Sequence, residues 1–139
     1  MYHKILVALE NSRSDQTLLP HIEQLASLVH AELLLVHVAD GWVARHFDKL
    51  KLAESEEMKA DRDYLESTAA KLRDRGLRVS VHLALGDPPT EILRTAETEK
   101  CDLIAMTTHG RGASRLLLGS VADKVLRGTT CSILLARAR

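Results

Sequence analysis

The stretch Lys4–Leu9 reads KILVAL and runs directly into the polar turn Glu10-Asn11-Ser12. A short, near-continuous run of Val, Ile and Leu is how a parallel strand covered on both faces reads. Four more such runs follow: Glu32–Val38 (ELLLVHV), Arg78–Leu85 (RVSVHLAL), Asp102–Thr107 (DLIAMT) and Ser132–Ala136 (SILLA). Arg78–Leu85 alternates more strictly, which suits an edge strand with one wetter face.

Helical periods separate these runs. In Ser14–His30, Leu18, Ile22, Leu25 and Val29 form one stripe. Pro20 fits there if the helix starts near Asp15–Gln16, so that the ring falls within about the first turn. Lys51–Arg75 is long and charged, with Met58, Leu65 and Leu72 at heptad spacing and Gly76 as its stop. Pro89–Lys100 opens on a first-turn proline and turns Ile92, Leu93 and Ala96 inward. Ser120–Arg127 carries Val121, Val125 and Leu126, with Gly128 as stop.

The order is therefore βαβαβαβαβ. It predicts an α/β fold: five parallel strands joined by right-handed crossovers, helices on both faces. Ligands of such sheets sit beyond the carboxyl ends of the strands, where strand order reverses. For the order 3-2-1-4-5 that point lies between strands one and four. The loops Glu10–Arg13 and Thr108–Gly119 flank it, and Asp40–Leu50 could cover the same mouth.

Composition narrows the function. With 139 residues, the chain is expected to be one domain over 1–139. At 45% hydrophobic and 27% charged it has the make-up of a globular chain, which excludes disorder. A formal net charge of +0 argues for neither nucleic acid nor an anionic membrane, and 3% aromatic residues leave no stacking platform for single strands. The longest apolar runs, such as Leu33–Val36, fall far below the ~20 residues that span a bilayer. Met1-Tyr2-His3-Lys4-Ile5 has no signal-peptide pattern. Cys101 and Cys131 are too few for a disulfide framework or a Cys-based zinc site. A cytoplasmic location is expected.

Two segments at the switch point carry the chemistry. Glu10 could accept from a ribose hydroxyl or an adenine amine, or serve as a helix N-terminal charge; the sequence supports both equally. After the fourth strand comes Thr107-Thr108-His109-Gly110-Arg111-Gly112-Ala113-Ser114-Arg115, then Leu116–Leu118 and Gly119-Ser120. A glycine-bearing loop leading into a helix N-terminus suits an anion. Ser120 could donate to a phosphate oxygen or cap the helix. From Cys101 onward six Lys and Arg face two acids, so this neutral chain is locally basic. The spacing matches neither a P-loop nor a dinucleotide fingerprint.

Thr107–Leu126 (TTHGRGASRLLLGSVADKVL) resembles the C-terminal signature of the universal stress protein family. KILVALENS, LLLVHV, Gly86-Asp87-Pro88 and CSILLAR resemble its other segments, so the likeness covers essentially the whole chain. The resemblance implies an adenine nucleotide hydrolase-like, Rossmann-type fold, a cytoplasmic homodimer and a role in surviving stress or growth arrest. One branch of that family binds ATP and another does not. The binding branch is marked by glycine, two residues, glycine, nine residues, then glycine with serine or threonine. Gly110 and Gly119-Ser120 match it. Thr107 stands at the first glycine, eight residues rather than nine separate Gly110 from Gly119, and Glu10 stands where aspartate is common. A threonine at a close-approach position brings a Cβ toward the ligand and resists positive φ.

Carried over residue by residue, the resemblance implies that Ala8, Leu9 and Glu10 flank adenine and ribose. Val38 packs on the adenine, and Met106 and Thr107 line base and sugar. His109, Gly110 and Arg111 approach the phosphates, and Gly119, Ser120 and Val121 hold their far side. ATP, with Mg accompanying it, or AMP is the implied ligand. The implied dimer forms through the last strand, 132–136.

The remaining residues read more plainly. His37 lies among apolar residues and is expected to be a hydrogen-bonded core histidine rather than a metal ligand. His3, His21, His30, His46 and His82 show no ligand spacing, so no metal site is expected. Trp42 and Phe47 anchor the long helix or pin the 40–50 segment over the mouth. Glu54, Glu56 and Glu57 suit a helix N-terminus. Cys101 and Cys131 each precede a strand, at the same end of the sheet if strands four and five are neighbours, and are expected to be inert cytosolic thiols rather than a redox pair. A hydrolase needs a water-positioning group and usually a metal carboxylate. Glu10 and His109 stand without a second acid, so at most slow ATP hydrolysis is expected. Three readings compete: a nucleotide-binding regulatory module, a slow hydrolase, and a ligand-free dimeric stress protein. A phosphate receiver would need clustered acids after strand one.

Overall fold

A computed structural model describes residues 1–39, 56–108 and 118–137. The chain order is β1 (Lys4–Ala8), α1 (Asp15–Val29), β2 (Glu32–Ala39), α2 (Glu56–Asp74), β3 (Val79–Leu85), α3 (Pro88–Thr98), β4 (Leu103–Thr107), α4 (Ser120–Gly128) and β5 (Ser132–Ala136). All strands pair in parallel in the order β3-β2-β1-β4-β5. That is the expected order, and it puts β1 and β4 side by side at the point of reversal.

The period of two along each strand sorts its side chains onto two faces. Ile5, Val7, Leu33, Leu35, Leu103 and Ala105 pack against Leu18, Ile22 and Ala26 of α1 and Leu65, Ala69 and Leu72 of α2. Leu6, Ala8, Leu34, Val36, Ile104 and Met106 pack against Ile92 and Ala96 of α3 and Ala122 and Val125 of α4. Both faces of β1, β2 and β4 are thus covered, which explains their unbroken apolar runs. β3 alternates, with Val79, Val81 and Leu83 turned to the first face.

Local signals fix the ends. Asp87 caps α3, accepting from the Thr90 amide at 3.3 Å and also from its hydroxyl. α2 ends where Gly76, at φ +89°, takes a left-handed conformation. The Gly76 and Leu77 amides then donate back to Arg73 and Leu72 carbonyls. α1 starts at Asp15, as expected, and Pro20 is its sixth residue, just past the first turn. There it removes one helical donor, and its ring lies on the exposed side.

Candidate functional site

A cavity of about 300 Å³ opens at the carboxyl ends of the strands. β1 supplies Ala8 and then Leu9 and Glu10; β2 supplies Val36, His37 and Val38; β4 supplies Met106 and Thr107. Pro88 and Ile92 of α3 and Val121 of α4 complete it. The wall is mostly apolar, with Glu10 the carboxylate among its described lining residues.

The turn after β1 folds around a buried acid. Asp15, 1% exposed, accepts from the amides of Glu10 at 2.9 Å, Asn11 at 2.8 Å and Ser12 at 3.4 Å. The Tyr64 hydroxyl donates to it at 2.7 Å. Burial, and then this bond to a carboxylate, push the Tyr64 phenol well above its ordinary pKa. Asn11 sits at φ +57°, a left-handed conformation that asparagine tolerates better than most residues. The Glu10 carboxylate accepts from Ser14 at 2.8 Å and lies 3.4 Å from the Ser12 hydroxyl. It therefore lines the cavity and stands at the start of α1 at once.

His37 is hydrogen-bonded on both sides of its ring. Nδ1 lies 2.8 Å from the Leu9 carbonyl, and Nε2 lies 3.2 Å from Asp61. Asn11 Nδ2 donates to the other Asp61 oxygen at 2.9 Å. The chain Asn11–Asp61–His37–Leu9 ties α2 to the ends of β1 and β2. Among the described residues no three His, Cys, Asp or Glu side chains gather as a metal-ligand set.

On the far side, Gly119 is the N-cap of α4 and Ser120 its first helical residue. Ser120 is thus not the capping residue, one of the two roles its sequence position allows. The Gly119 amide donates to Thr108 at 2.8 Å, closing the base of the connection between β4 and α4. The first amides of a helix have no intrahelical acceptor. Thr107 belongs to β4, opposite Ala136, and is not among the residues at positive φ. The expected backbone conflict at Thr107 is therefore absent, because a β-branched residue suits an extended strand.

The structure brings Ala8, Leu9, Glu10, Val38, Met106, Thr107 and Val121 to one cavity, and sets Gly119 and Ser120 next to Val121 at the start of α4. His109, Gly110 and Arg111, with Trp42, Phe47, His46 and Glu54, lie outside the described residues. Sequence reading missed Asp15, Asp61, Tyr64, Val36 and the contribution of Pro88 and Ile92. Asp61 carried a signal: it sits at i+3 from Met58 and i−4 from Leu65, on the buried stripe of α2. An acid there needs a buried partner.

The universal stress protein family profile matches residues 1–137. Universal stress protein YxiE of Bacillus subtilis is 30% identical over 99% of this chain and 100% of its own length. The structure of MJ0577 from Methanocaldococcus jannaschii superposes with a TM-score of 0.83 at 28% identity, covering 100% of this chain and 98% of that one. A universal stress protein from Archaeoglobus fulgidus, solved in complex with dAMP, shares the fold with a TM-score of 0.73 at 20% identity, covering 97% and 98% of the two chains. Sequence and fold agree over nearly the full length, and the chain belongs to the universal stress protein family.

Proposed function

We propose that the protein is an adenine-nucleotide-binding regulatory module of the stress response, working in the cytoplasm. The observation that carries this reading is the apolar cavity at the β1–β4 reversal with the α4 N-terminus beside it. A purine is flat and apolar on its faces, and Val38, Ile92, Pro88 and Met106 offer matching walls. Glu10, Ala8 and Leu9 lie where base and ribose would be read, with Thr107 opposite. Gly119, Ser120 and Val121 stand where helix amides favour phosphate oxygens. In this reading His109, Gly110 and Arg111 approach the same phosphates. The related protein that holds dAMP supports the adenine choice. ATP or AMP is the proposed ligand, and Mg would arrive with ATP on its phosphates, since Glu10 is the one carboxylate in the described wall. Gently purified protein, denatured and analysed by mass spectrometry, tests this: a released adenine nucleotide is expected. Protein that purifies empty and takes up none on incubation would favour the ligand-free alternative.

The same reading includes a homodimer through β5. Its support is that β5 is the sheet edge and that Ile133, Leu134 and Leu135 are only partly buried there. An apolar edge strand invites pairing with another strand, and a two-fold axis would close the assembly as a dimer.

A further inference from the structure

At the opposite end of the sheet, the two cysteines share one small pocket. Cys101 precedes β4 and Cys131 precedes β5, and both pack with Leu93 and Ala96 on the α3–α4 face. Together with Glu97, Gly128, Thr129 and Thr130 they line a cavity of about 220 Å³. β4 and β5 pair from Leu103↔Ser132, and Cys101 and Cys131 stand two residues and one residue before that pair, at the entrance to the two strands. Neighbouring strands lie ~4.8 Å apart, so the chains entering β4 and β5 side by side run at a spacing of that order. That falls within the ~4.4–6.8 Å that a disulfide spans. Both thiols are free and turned to the same face.

We propose that Cys101 and Cys131 are a redox pair that forms a reversible intramolecular disulfide under peroxide, tying the edge strand to its neighbour. The surroundings set the order of events. Burial pushes the Cys101 thiol up to about 11, so it is a poor first nucleophile. Cys131 is more exposed. Its amide donates to the Thr129 hydroxyl oxygen at 3.1 Å, and that hydroxyl lies 3.1 Å from its sulfur. Thr129 can therefore donate its proton to a Cys131 thiolate.

The Cys131 thiolate attacks one peroxide oxygen. The S–O bond forms, the O–O bond breaks, and the departing hydroxide takes up a proton as water. Cys131 is now a sulfenic acid. Cys101 attacks its sulfur, the S–S bond forms, and the S–O bond breaks. The oxygen leaves as a second water, carrying the Cys101 proton. In sum, two thiols and one hydrogen peroxide give one disulfide and two waters. The closed ring spans residues 101–131 and contains β4, the β4–α4 connection and α4. Thiol–disulfide exchange with a reducing dithiol reopens it.

The whole chain, reduced and then treated with hydrogen peroxide, tests the pair. The expected products are a monomer chain lighter by two hydrogens, no titratable thiol, and a tryptic cross-link between peptides 101–111 and 128–137. A ring of this length should raise the melting midpoint on the order of 10 °C, reversed by dithiothreitol. In Cys101→Ala, Cys131 should accumulate as sulfenic acid trapped by dimedone. In Cys131→Ala, Cys101 should stay unmodified under the same exposure. Two thiols surviving in the wild type, a Cys131–Cys131 bond between chains as the main product, or equal reactivity of the two single variants would overturn the proposal. None of these readouts requires a nucleotide.

Discussion

Tyr64 donates its hydroxyl to Asp15 at 2.7 Å, and three successive backbone amides converge on the same carboxylate. This buried acid, more than any side chain facing the cavity, holds the β1–α1 turn in shape. Asp15→Ala leaves those amides and the phenol without their acceptor. It should cost about 3–5 kcal/mol by urea denaturation, the range for a broken buried polar network. Tyr64→Phe removes one donor from an acid that keeps its amides, and should cost about 1–2 kcal/mol. Equal losses in the two variants would contradict the hub.

Asp102 makes the fold sensitive to acid. Burial alone would raise its carboxyl pKa, but the amides of His3 and Lys4, at 2.8–3.1 Å, hold it below the ordinary 3.8. A pKa lowered in the folded state stabilises above the unfolded value and is lost as pH falls through the folded one. Asp102→Asn should therefore destabilise by about 1 kcal/mol at neutral pH. The gap from wild type should shrink as the pH drops below 3.8. Denaturation curves at pH 7 and pH 3 check the sign.

Most of the fold was legible because it rests on apolar periodicity. The five runs, their parallel order and the stripes of α1 and α2 follow from which residues avoid water. The polar network was less so. Asp15 marked only where α1 could start, and nothing local says that three amides of the preceding turn curl onto it. Asp61 and His37 lie 24 residues apart on different elements, and only the packing of α2 over β2 joins them. Thr107 read as a backbone conflict because a family pattern has glycine there; the strand carries it without strain. The cavity wall from α3 was hidden because Pro88 reads as part of the Gly86-Asp87-Pro88 turn and Ile92 as a core residue.

Gly119 stands at the α4 N-cap with φ −63° and ψ 155°, a conformation open to other residues. Gly119→Val should therefore fold, with a stability loss of about 1 kcal/mol or less. A β-branched side chain at the phosphate edge should lower nucleotide affinity at least tenfold, or by ~1.4 kcal/mol. Calorimetry on a variant with an unchanged circular-dichroism spectrum decides it; unchanged affinity would remove Gly119 from the site.

The β5 edge yields a sharper dimer test than its apolar content alone. The Thr108 amide donates to the Ala136 carbonyl at 2.8 Å, so Ala136 faces β4. By alternation Leu134 faces β4 too, while the backbone groups of Ile133 and Leu135 point to the open edge. Proline at Leu134 would therefore damage the sheet itself. Leu135→Pro removes an outward donor and spares the β4 ladder. Light scattering should show a wild-type dimer and a folded, monomeric Leu135→Pro. A monomeric wild type, or a folded variant that stays dimeric, would refute the interface.

In the proposed function, the cavity between β1 and β4 receives an adenine nucleotide. Isothermal titration calorimetry of the wild-type protein with ATP, AMP and GTP tests it most directly. Saturable binding of at least one adenine nucleotide at one site per chain is expected, with GTP weaker by about tenfold or more, a difference of ~1.4 kcal/mol. No saturable heat with either adenine nucleotide, or equal binding of GTP, would contradict it.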